Sequence, residues 1–188
     1  MNLSAITPEN LTIITKRLTL SLMTVTDLNH FSLLQTDVEL MKYIGPILSD
    51  EEINNKFLDR IKPFDGKEGH WIALNIHENN SNNFMGTIGF KLDSITDQRF
   101  EIGYLILKQF GRRGYVTEAG HAIVNFLLNN VGVKKIVAHC ATDNIGSWKV
   151  MGKIGLHREG EFKSDHFLND IWYDSYAYGL INPHFSKH

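Results

Sequence analysis

The sequence has few cysteines, no long apolar run and no net positive charge, and each of these absences excludes a class of protein. Cys140 is the only cysteine among 188 residues, which excludes an intrachain disulfide and a multi-cysteine zinc site and favours a reducing compartment. No stretch approaches the roughly 20 apolar residues that span a bilayer, and the N-terminus lacks a basic region followed by an apolar core. The formal net charge of −2 supplies no basic field for nucleic acid. We therefore expect a cytoplasmic protein that binds neither membrane nor nucleic acid directly.

Metal binding and a multidomain organisation are also not expected. The nine histidines show neither the i, i+4 helical spacing nor the carboxylate motif of a metal site. The content of 43% hydrophobic and 21% charged residues is typical of a globular chain. Because the chain has no repeat, low-complexity tract or interdomain linker, we predict a single domain over residues 1–188.

Hydrophobic periodicity predicts an α/β protein with seven strands and four helices. Residues 99–108 illustrate the strand pattern, since Glu101, Gly103, Leu105 and Leu107 alternate with apolar side chains. Strands are predicted over 13–22, 70–77, 84–92, 99–108, 134–141, 156–166 and 170–181, and helices over 26–35, 50–62, 117–130 and 146–154.

The junction at residues 109–119, Gln-Phe-Gly-Arg-Arg-Gly-Tyr-Val-Thr-Glu-Ala, is the most informative local feature. It joins a predicted strand to a predicted helix and contains Gly111, Arg112, Arg113 and Gly114. A helix start exposes unpaired backbone N–H groups, and glycine lets an anion approach them closely. The pattern favours a phosphate cradle, although it has neither the GxxxxGK[ST] nor the GxGxxG spacing of common nucleotide loops. The alternative is a solvated turn before an amphipathic helix.

Several segments together resemble the GNAT acetyltransferase superfamily, and within it the RimJ/RimL-like branch of ribosomal-protein N-terminal acetyltransferases. The resemblance covers most of the chain. It rests on the segments Lys16-Arg-Leu-Thr-Leu20, Met85-Gly-Thr-Ile-Gly-Phe90, Glu101-Ile-Gly-Tyr104, Gly114-Tyr-Val-Thr-Glu-Ala119, Asn144-x-x-Ser147 with Lys153-Ile-Gly155, and Trp172-Tyr-Asp-Ser-Tyr-Ala-Tyr178. In the usual loop pattern, [QR]-x-x-G-x-[GA], Gly111 and Val116 depart from the first and last positions.

The resemblance implies a GNAT fold: a mixed, mostly antiparallel seven-stranded sheet with splayed central strands, flanked by about four helices. It also implies binding of acetyl-CoA as co-substrate, without a metal. The pyrophosphate would be held by Gly111, Arg112, Arg113 and Gly114 together with backbone N–H groups from Tyr115, Val116, Thr117 and Glu118. The splayed strand would offer backbone groups from Leu105, Ile106 and Leu107 to the pantetheine arm and the thioester carbonyl.

Three kinds of catalytic group are implied in the same way. Glu101 would act as general base on the acceptor amine, directly or through one water, and partial burial would raise its pKa. Ser147 would be the general acid for the leaving thiolate and Asn144 would orient pantetheine, although both residue types also cap helices. Tyr176 and Tyr178 are the alternative acids.

The acceptor is the least constrained part of the interpretation. The resemblance implies acetylation of a protein N-terminal amine by direct attack in a ternary complex. The alternatives are a small amine (polyamine, amino acid or aminoglycoside) and a CoA-binding protein without catalysis. Trp71 would line the acceptor groove or belong to the core. Acidic residues of the segments 24–62 and 163–170 would either receive a cationic amine or a basic peptide or belong to a solvated helix face. A homodimer is compatible with this family.

Overall fold

A computed structural model describes residues 1–185, which form one mixed β-sheet with helices on both faces. The strands lie in the order β1-β2-β3-β4-β5-β6-β8-β7. Their bounds are β1 Ile13–Ile14, β2 Leu18–Leu22, β3 Trp71–Glu78, β4 Phe84–Ser94, β5 Arg99–Ile106, β6 Lys135–Ala141, β7 His157–Leu168 and β8 Ile171–Ile181.

The two central strands, β5 and β6, are parallel and separate soon after they meet. Their pairing extends only from Arg99 with Lys135 to Glu101 with Val137. On its other side, β5 stays paired with β4 as far as Ile106. All other strand pairs in residues 1–185 are antiparallel. The sheet therefore opens into a V whose apex lies at Glu101.

The helices are α1 Leu28–Gln35, α2 Val38–Met41, α3 Asp50–Arg60, α4 Tyr115–Phe126 and α5 Ile145–Lys153. The larger core lies between the sheet and α4 with α5, where it includes Phe90, Phe100 and Ile123, each 0% exposed. A smaller core holds α1 and α3 on the opposite face through Phe31, Ile53 and other apolar side chains. No helix in residues 1–185 combines the length and the apolarity that a bilayer crossing requires.

The predicted fold class is confirmed, with corrections to the number of elements. The strand predicted over 13–22 is two strands, because the chain turns at Thr15–Arg17 and the Thr15 N–H donates to the Leu18 carbonyl at 2.8 Å. The sheet therefore has eight strands instead of seven. A fifth helix, α2, is also present, and Asp37 caps it by accepting from the Glu39 and Leu40 N–H groups. The helix predicted over 117–130 starts two residues earlier and ends in a π-helical turn over Leu127–Val131.

Candidate active site

Glu101 lies at the apex of the V, on the sheet face opposite α4 and α5. Its neighbours in β5, Phe100 and Ile102, are buried in the larger core, so the alternation of the strand turns the carboxylate the other way. The Glu101 side chain is 19% exposed. Its Oε2 is 2.8 Å from Lys91 Nζ, and its Oε1 is 3.7 Å from His139 Nδ1. Register explains the first contact, since Lys91 of β4 pairs directly with Glu101.

The expectation of a raised pKa for Glu101 is wrong. Burial does raise the pKa of this carboxyl, but the contacts with His139 and Lys91 outweigh burial and leave the pKa below its ordinary value. The interaction with Glu101 raises the pKa of His139 above the ordinary histidine value, against the effect of its own burial. Glu101 is therefore ionised at neutral pH, and the adjacent imidazole has the higher proton affinity of the two.

Trp71 forms one side of the space beside Glu101. A Cβ added to Gly103 would lie 3.0 Å from Cη2 of the indole, so the ring covers this glycine two residues beyond Glu101. The Lys91 ammonium lies 5.2 Å from the ring centroid, and the Arg60 guanidinium of α3 lies 5.3 Å from it. The sequence left open whether Trp71 is core or groove. The half-buried indole contacts both cations and packs against Gly103 of β5. Trp71 therefore lies beside Glu101.

The predicted phosphate loop leads from β5 to the start of α4. Arg112 and Gly114 have left-handed backbone conformations, with φ of 61° and 79°. An added Cβ on Gly114 would find Arg17 Nη2 at 3.6 Å as its nearest neighbour, so the loop surface there is open. Arg112, Arg113 and Gly114 are exposed, and the Gly111 N–H donates to the Lys108 carbonyl at 3.1 Å.

The backbone at the start of α4 faces the same open surface. The Glu118 N–H donates to the Gly114 carbonyl at 3.0 Å, which is the first hydrogen bond of the helix. The N–H groups of Tyr115, Val116 and Thr117 precede that bond and point out of the helix end, while the Glu118 N–H is already used. This arrangement suits an anion such as a pyrophosphate.

The loop is held to β2 by contacts that sequence reasoning missed. Glu118 Oε1 accepts from Thr15 Oγ1 at 2.7 Å and from the Arg17 N–H at 2.8 Å. Glu118 Oε2 accepts from Arg17 Nε at 2.6 Å. Arg17 also donates to the Arg113 carbonyl at 3.1 Å and lies 4.4 Å above the Tyr115 ring. Arg17 thereby fixes the position of the loop from the opposite side.

Beyond Glu101, one edge of β5 faces the opening of the V. Leu105 and Ile106 pair with β4 but not with β6. Backbone groups of successive strand residues point to opposite edges, and the Leu107 N–H donates to β4, so the groups of Leu105 also face β4. Those of Ile106 point into the opening, where they are available to an extended, amide-bearing ligand. Leu107 differs, because its N–H donates to the Met85 carbonyl and its carbonyl accepts from the Phe110 N–H, each at 2.9 Å. The open edge therefore presents the backbone groups of Ile106.

Ser147 and Asn144 lie on the other side of the V, at the start of α5. Asn144 Oδ1 accepts from the Ser147 N–H at 3.2 Å, which is a helix-capping contact. The Tyr104 hydroxyl donates to the Ser147 carbonyl at 2.8 Å and lies 3.3 Å from Ser147 Oγ. Burial raises the pKa of Tyr104, which keeps the phenol protonated. Burial also raises the pKa of the nearby Cys140 thiol to about 11.

The two alternative acids lie on β8. Tyr178 is buried in the larger core, and Tyr176 is half-buried beneath the Arg158 guanidinium at 4.7 Å. Ser147 is more accessible than Tyr178 and, like Tyr176, half-buried. Tyr104, which was not among the predicted acids, is the direct neighbour of Ser147.

Comparison with known families matches residues 17–157 to the family described as "Acetyltransferase (GNAT) domain". This match covers most of the chain. The chain belongs to the GNAT acetyltransferase family. Its enzyme class is therefore that of an acetyl-CoA-dependent N-acetyltransferase, and acetyl-CoA is the co-substrate. The V, the open edge of β5 and the start of α4 fit such a ligand.

Similar proteins agree on the family and differ in their acceptors. The chain is 30% identical over 146 residues to the uncharacterized N-acetyltransferase YnaD of Bacillus subtilis strain 168, covering 78% of this chain and 82% of YnaD. Its fold is similar to that of RimL, a ribosomal L7/L12 alpha-N-protein acetyltransferase in complex with CoA, with a TM-score of 0.80, 18% identity, and 90% and 97% of the two chains covered. It is also similar to spermidine N-acetyltransferase from Vibrio cholerae in complex with CoA and spermine, with a TM-score of 0.77, 16% identity, and 89% and 97% covered.

Proposed function

We propose that this enzyme transfers the acetyl group of acetyl-CoA to the α-amine of a protein N-terminus, by direct attack of the amine in a ternary complex. The observation that carries the proposal is the position of Glu101 at the apex of the V, on the face away from α4 and α5. Bound acetyl-CoA supplies an activated thioester. The cofactor side and the acceptor side then meet where β5 and β6 separate.

Glu101 and His139 would handle the proton of the acceptor. The ionised Glu101 carboxylate can accept a hydrogen bond from the incoming ammonium and orient its nitrogen toward the apex. His139, 3.7 Å from the other carboxylate oxygen and half exposed, has a raised pKa and can carry the proton to solvent. Lys91 stabilises the carboxylate as an ion pair at 2.8 Å.

Ser147 would supply the proton on the leaving side. The Tyr104 phenol donates its own proton to the Ser147 carbonyl, so the Ser147 hydroxyl is the donor in the 3.3 Å contact between the two hydroxyl oxygens. It would rotate from this long contact to donate to the leaving thiolate. The open edge of β5 at Ile106 would hold the pantetheine arm, with Asn144 beside it. Backbone groups preorganised around a developing negative charge typically contribute about 3–4 kcal/mol to catalysis.

The fold likeness to RimL, a ribosomal L7/L12 alpha-N-protein acetyltransferase, supports the protein N-terminus as acceptor. The fold likeness to the Vibrio cholerae spermidine N-acetyltransferase supports the second candidate, a small amine. CoA release by the purified protein should be measured with a panel of N-terminal peptides of ribosomal proteins, polyamines, amino acids and aminoglycosides. Turnover on peptides supports the proposal, and turnover on small amines alone replaces it with the second candidate. Silence across the panel while CoA still binds would favour a CoA-binding protein without catalysis.

Substitution of Glu101 tests the mechanism separately from the acceptor. Glu101→Gln should reduce turnover at least about 100-fold, since general base catalysis typically contributes that much, while the Kd for acetyl-CoA stays within about twofold. Glu159→Gln is a matched control, because Glu159 also pairs with a lysine of the sheet, Lys135, at 2.6 Å, but makes no ion pair with Lys91 or His139, the partners of Glu101. Unchanged turnover in Glu101→Gln would remove Glu101 from the mechanism.

A further inference from the structure

Helix α3 directs two positive charges toward the acceptor side of the sheet. Lys56 and Arg60 are one helical turn apart, a spacing at which like charges repel. They flank the inward face formed by Ile53 and Phe57, which are 2% and 3% exposed. Lys56 Nζ donates to Oε1 of the buried Gln35 at 2.8 Å. Both cations are therefore held near the protein interior instead of extending into solvent.

Neither cation has an anionic partner within residues 1–185. No carboxylate there lies within 4 Å of Lys56 or Arg60, and the adjacent Asp59 pairs instead with Lys62 at 2.8 Å. Burial lowers the pKa of Arg60 to about 10, and burial and the charge of Arg60 lower the pKa of Lys56. A desolvated cation without a counterion is unfavourable. Burial of Arg60 and Lys56 would be less unfavourable if a bound ligand supplied the missing negative charge.

Trp71 connects these charges to the proposed catalytic carboxylate. The Arg60 guanidinium lies 5.3 Å from the centroid of the indole, and Lys91 Nζ lies 5.2 Å from it. Lys91 is in turn 2.8 Å from Glu101. Because the Glu101 carboxylate neutralises Lys91, Arg60 remains the uncompensated charge nearest to the indole. An anion at Arg60 would thus lie beside the indole that also contacts Lys91, the ion-pair partner of Glu101.

Three acidic residues lie at the solvent-exposed start of α3. Asp50, Glu51 and Glu52 lie exposed in its first turn. Glu52 Oε2 accepts from the Ser49 N–H and hydroxyl, both at 2.8 Å, which is a capping box. These carboxylates complement the helix dipole. The charge that α3 presents to the acceptor side is positive.

We propose that Arg60 binds an anionic group, a carboxylate or a phosphate, carried by the acceptor close to its amine, with Lys56 as a supporting charge. The inference rests on the proposed acetyl transfer at Glu101 and narrows its acceptor. Among protein N-termini it selects those with an acidic side chain next to the α-amine. It disfavours purely cationic acceptors such as spermidine.

Matched acceptor pairs test the charge directly. The pairs are a peptide beginning Ala-Asp against one beginning Ala-Asn, an amino acid against its amide, and O-phosphoethanolamine against ethanolamine. We expect kcat/KM to favour the anionic member of at least one pair about tenfold or more, the scale of a hydrogen bond to a charged group. The pair that responds identifies whether the anion is a side-chain carboxylate, an α-carboxylate or a phosphate.

Variants assign the preference to Arg60. Arg60→Gln should reduce the anionic preference to within about twofold of unity, and Arg60→Lys should restore part of it. Lys62→Gln, a change at an exposed cation just beyond the end of the same helix, should leave the preference unchanged. Arg60→Gln removes a buried cation without a salt-bridge partner in the described residues but also its contact with the Trp71 ring, two opposing effects, so the Tm should change little and a loss of folding is not expected.

Binding separates failure of this inference from failure of the proposed reaction. Calorimetric titration of the CoA-bound protein with each acceptor pair measures the preference even without turnover. A binding preference that Arg60→Gln abolishes supports the anion site, even where acetylation is not detected. Equal affinity and equal kcat/KM within every pair, a preference that persists in Arg60→Gln, or a preference for spermidine would overturn the inference.

Discussion

The contact between Arg17 and Glu118 offers a sharp test of how the cofactor loop is positioned. Glu118→Gln changes one atom and removes one bond. Because Thr15 Oγ1 and the Arg17 N–H both donate to Oε1, the amide oxygen of glutamine can keep these two contacts. The amide NH2 group then faces the Arg17 Nε–H, where Glu118 Oε2 accepted at 2.6 Å. The variant thus replaces a charge-assisted hydrogen bond with two opposed donors.

The magnitude follows from the burial of the two partners. A hydrogen bond to a charged group contributes about 1.5–3 kcal/mol. The side chains of Arg17 and Glu118 are 40% and 19% exposed, so solvent screening reduces the expected loss to about 1–2 kcal/mol. If the contact holds the loop in its binding position, the Kd for CoA rises about 5- to 30-fold. The kcat at saturating acetyl-CoA should change less than about twofold, because Glu101 and Ser147 are untouched.

Isothermal titration with CoA and steady-state kinetics measure the two quantities. Asp59→Asn is the control, since it removes an exposed ion pair with Lys62 away from the loop and should leave the Kd unchanged. A loss of about 1–2 kcal/mol also lowers the Tm by about 2–8 °C. If Glu118→Gln lowered the Tm while the Kd for CoA stayed the same, the contact would stabilise the fold without positioning the loop, and the reasoning would be refuted.

Three further outcomes follow from the same geometry. Gly103→Val should reduce kcat/KM for the acceptor and leave the Kd for CoA unchanged. The reason is that even the Cβ of the new side chain would lie 3.0 Å from Trp71 Cη2. An unchanged kcat/KM would mean that the indole does not shape the acceptor site. Tyr104→Phe should lower the free energy of unfolding by about 1 kcal/mol, since the hydroxyl donates to a carbonyl of α5 at 2.8 Å; urea denaturation measures this, and an unchanged midpoint contradicts it. Glu101→Gln should lower the pKa of His139, because the Glu101 carboxylate raises it. NMR titration measures this pKa, and the His139→Asn variant identifies the His139 signal. A His139 pKa that stayed raised in Glu101→Gln would contradict the prediction.

Local sequence patterns predicted most of the fold because the helices, the strands and the side chains that they bury are determined by residues close together in sequence. The alternation in β5 assigned Glu101 and Gly103 to one face and Ile102 to the core. The loop between β5 and α4 was recognisable because Gly114 needs a left-handed conformation, with φ of 79°, and opens a helix. The same kind of reasoning missed the break between β1 and β2, since residues 13–22 alternate without an obvious turn residue.

Contacts between distant segments were not predictable in this way. The pairing of Lys91 with Glu101 depends on the register of β4 with β5, and the approach of His139 depends on where β6 diverges. Lys91 and His139 also reversed the sign of the pKa shift expected for Glu101, because burial alone would have raised the pKa of its carboxyl group. The pairing of Arg17 with Glu118 joins residues 101 positions apart. The sequence could have indicated this pair only through the opposite charges of a basic residue just before β2 and an acidic residue in the first turn of α4.

The break in the sheet also explains why the two halves of the site can lie on opposite faces. In an intact sheet, the acceptor side at Glu101 and the Ser147 side at α5 would be separated by paired backbone. Pairing of β5 with β6 ends at Glu101 and Val137, so beyond them the backbone no longer closes the sheet. The same break frees the backbone groups of Ile106, which in a fully paired strand would be bonded to the next strand. In the proposed reaction, one structural irregularity therefore provides both the opening through which the reactants would meet and the backbone groups that would hold one of them.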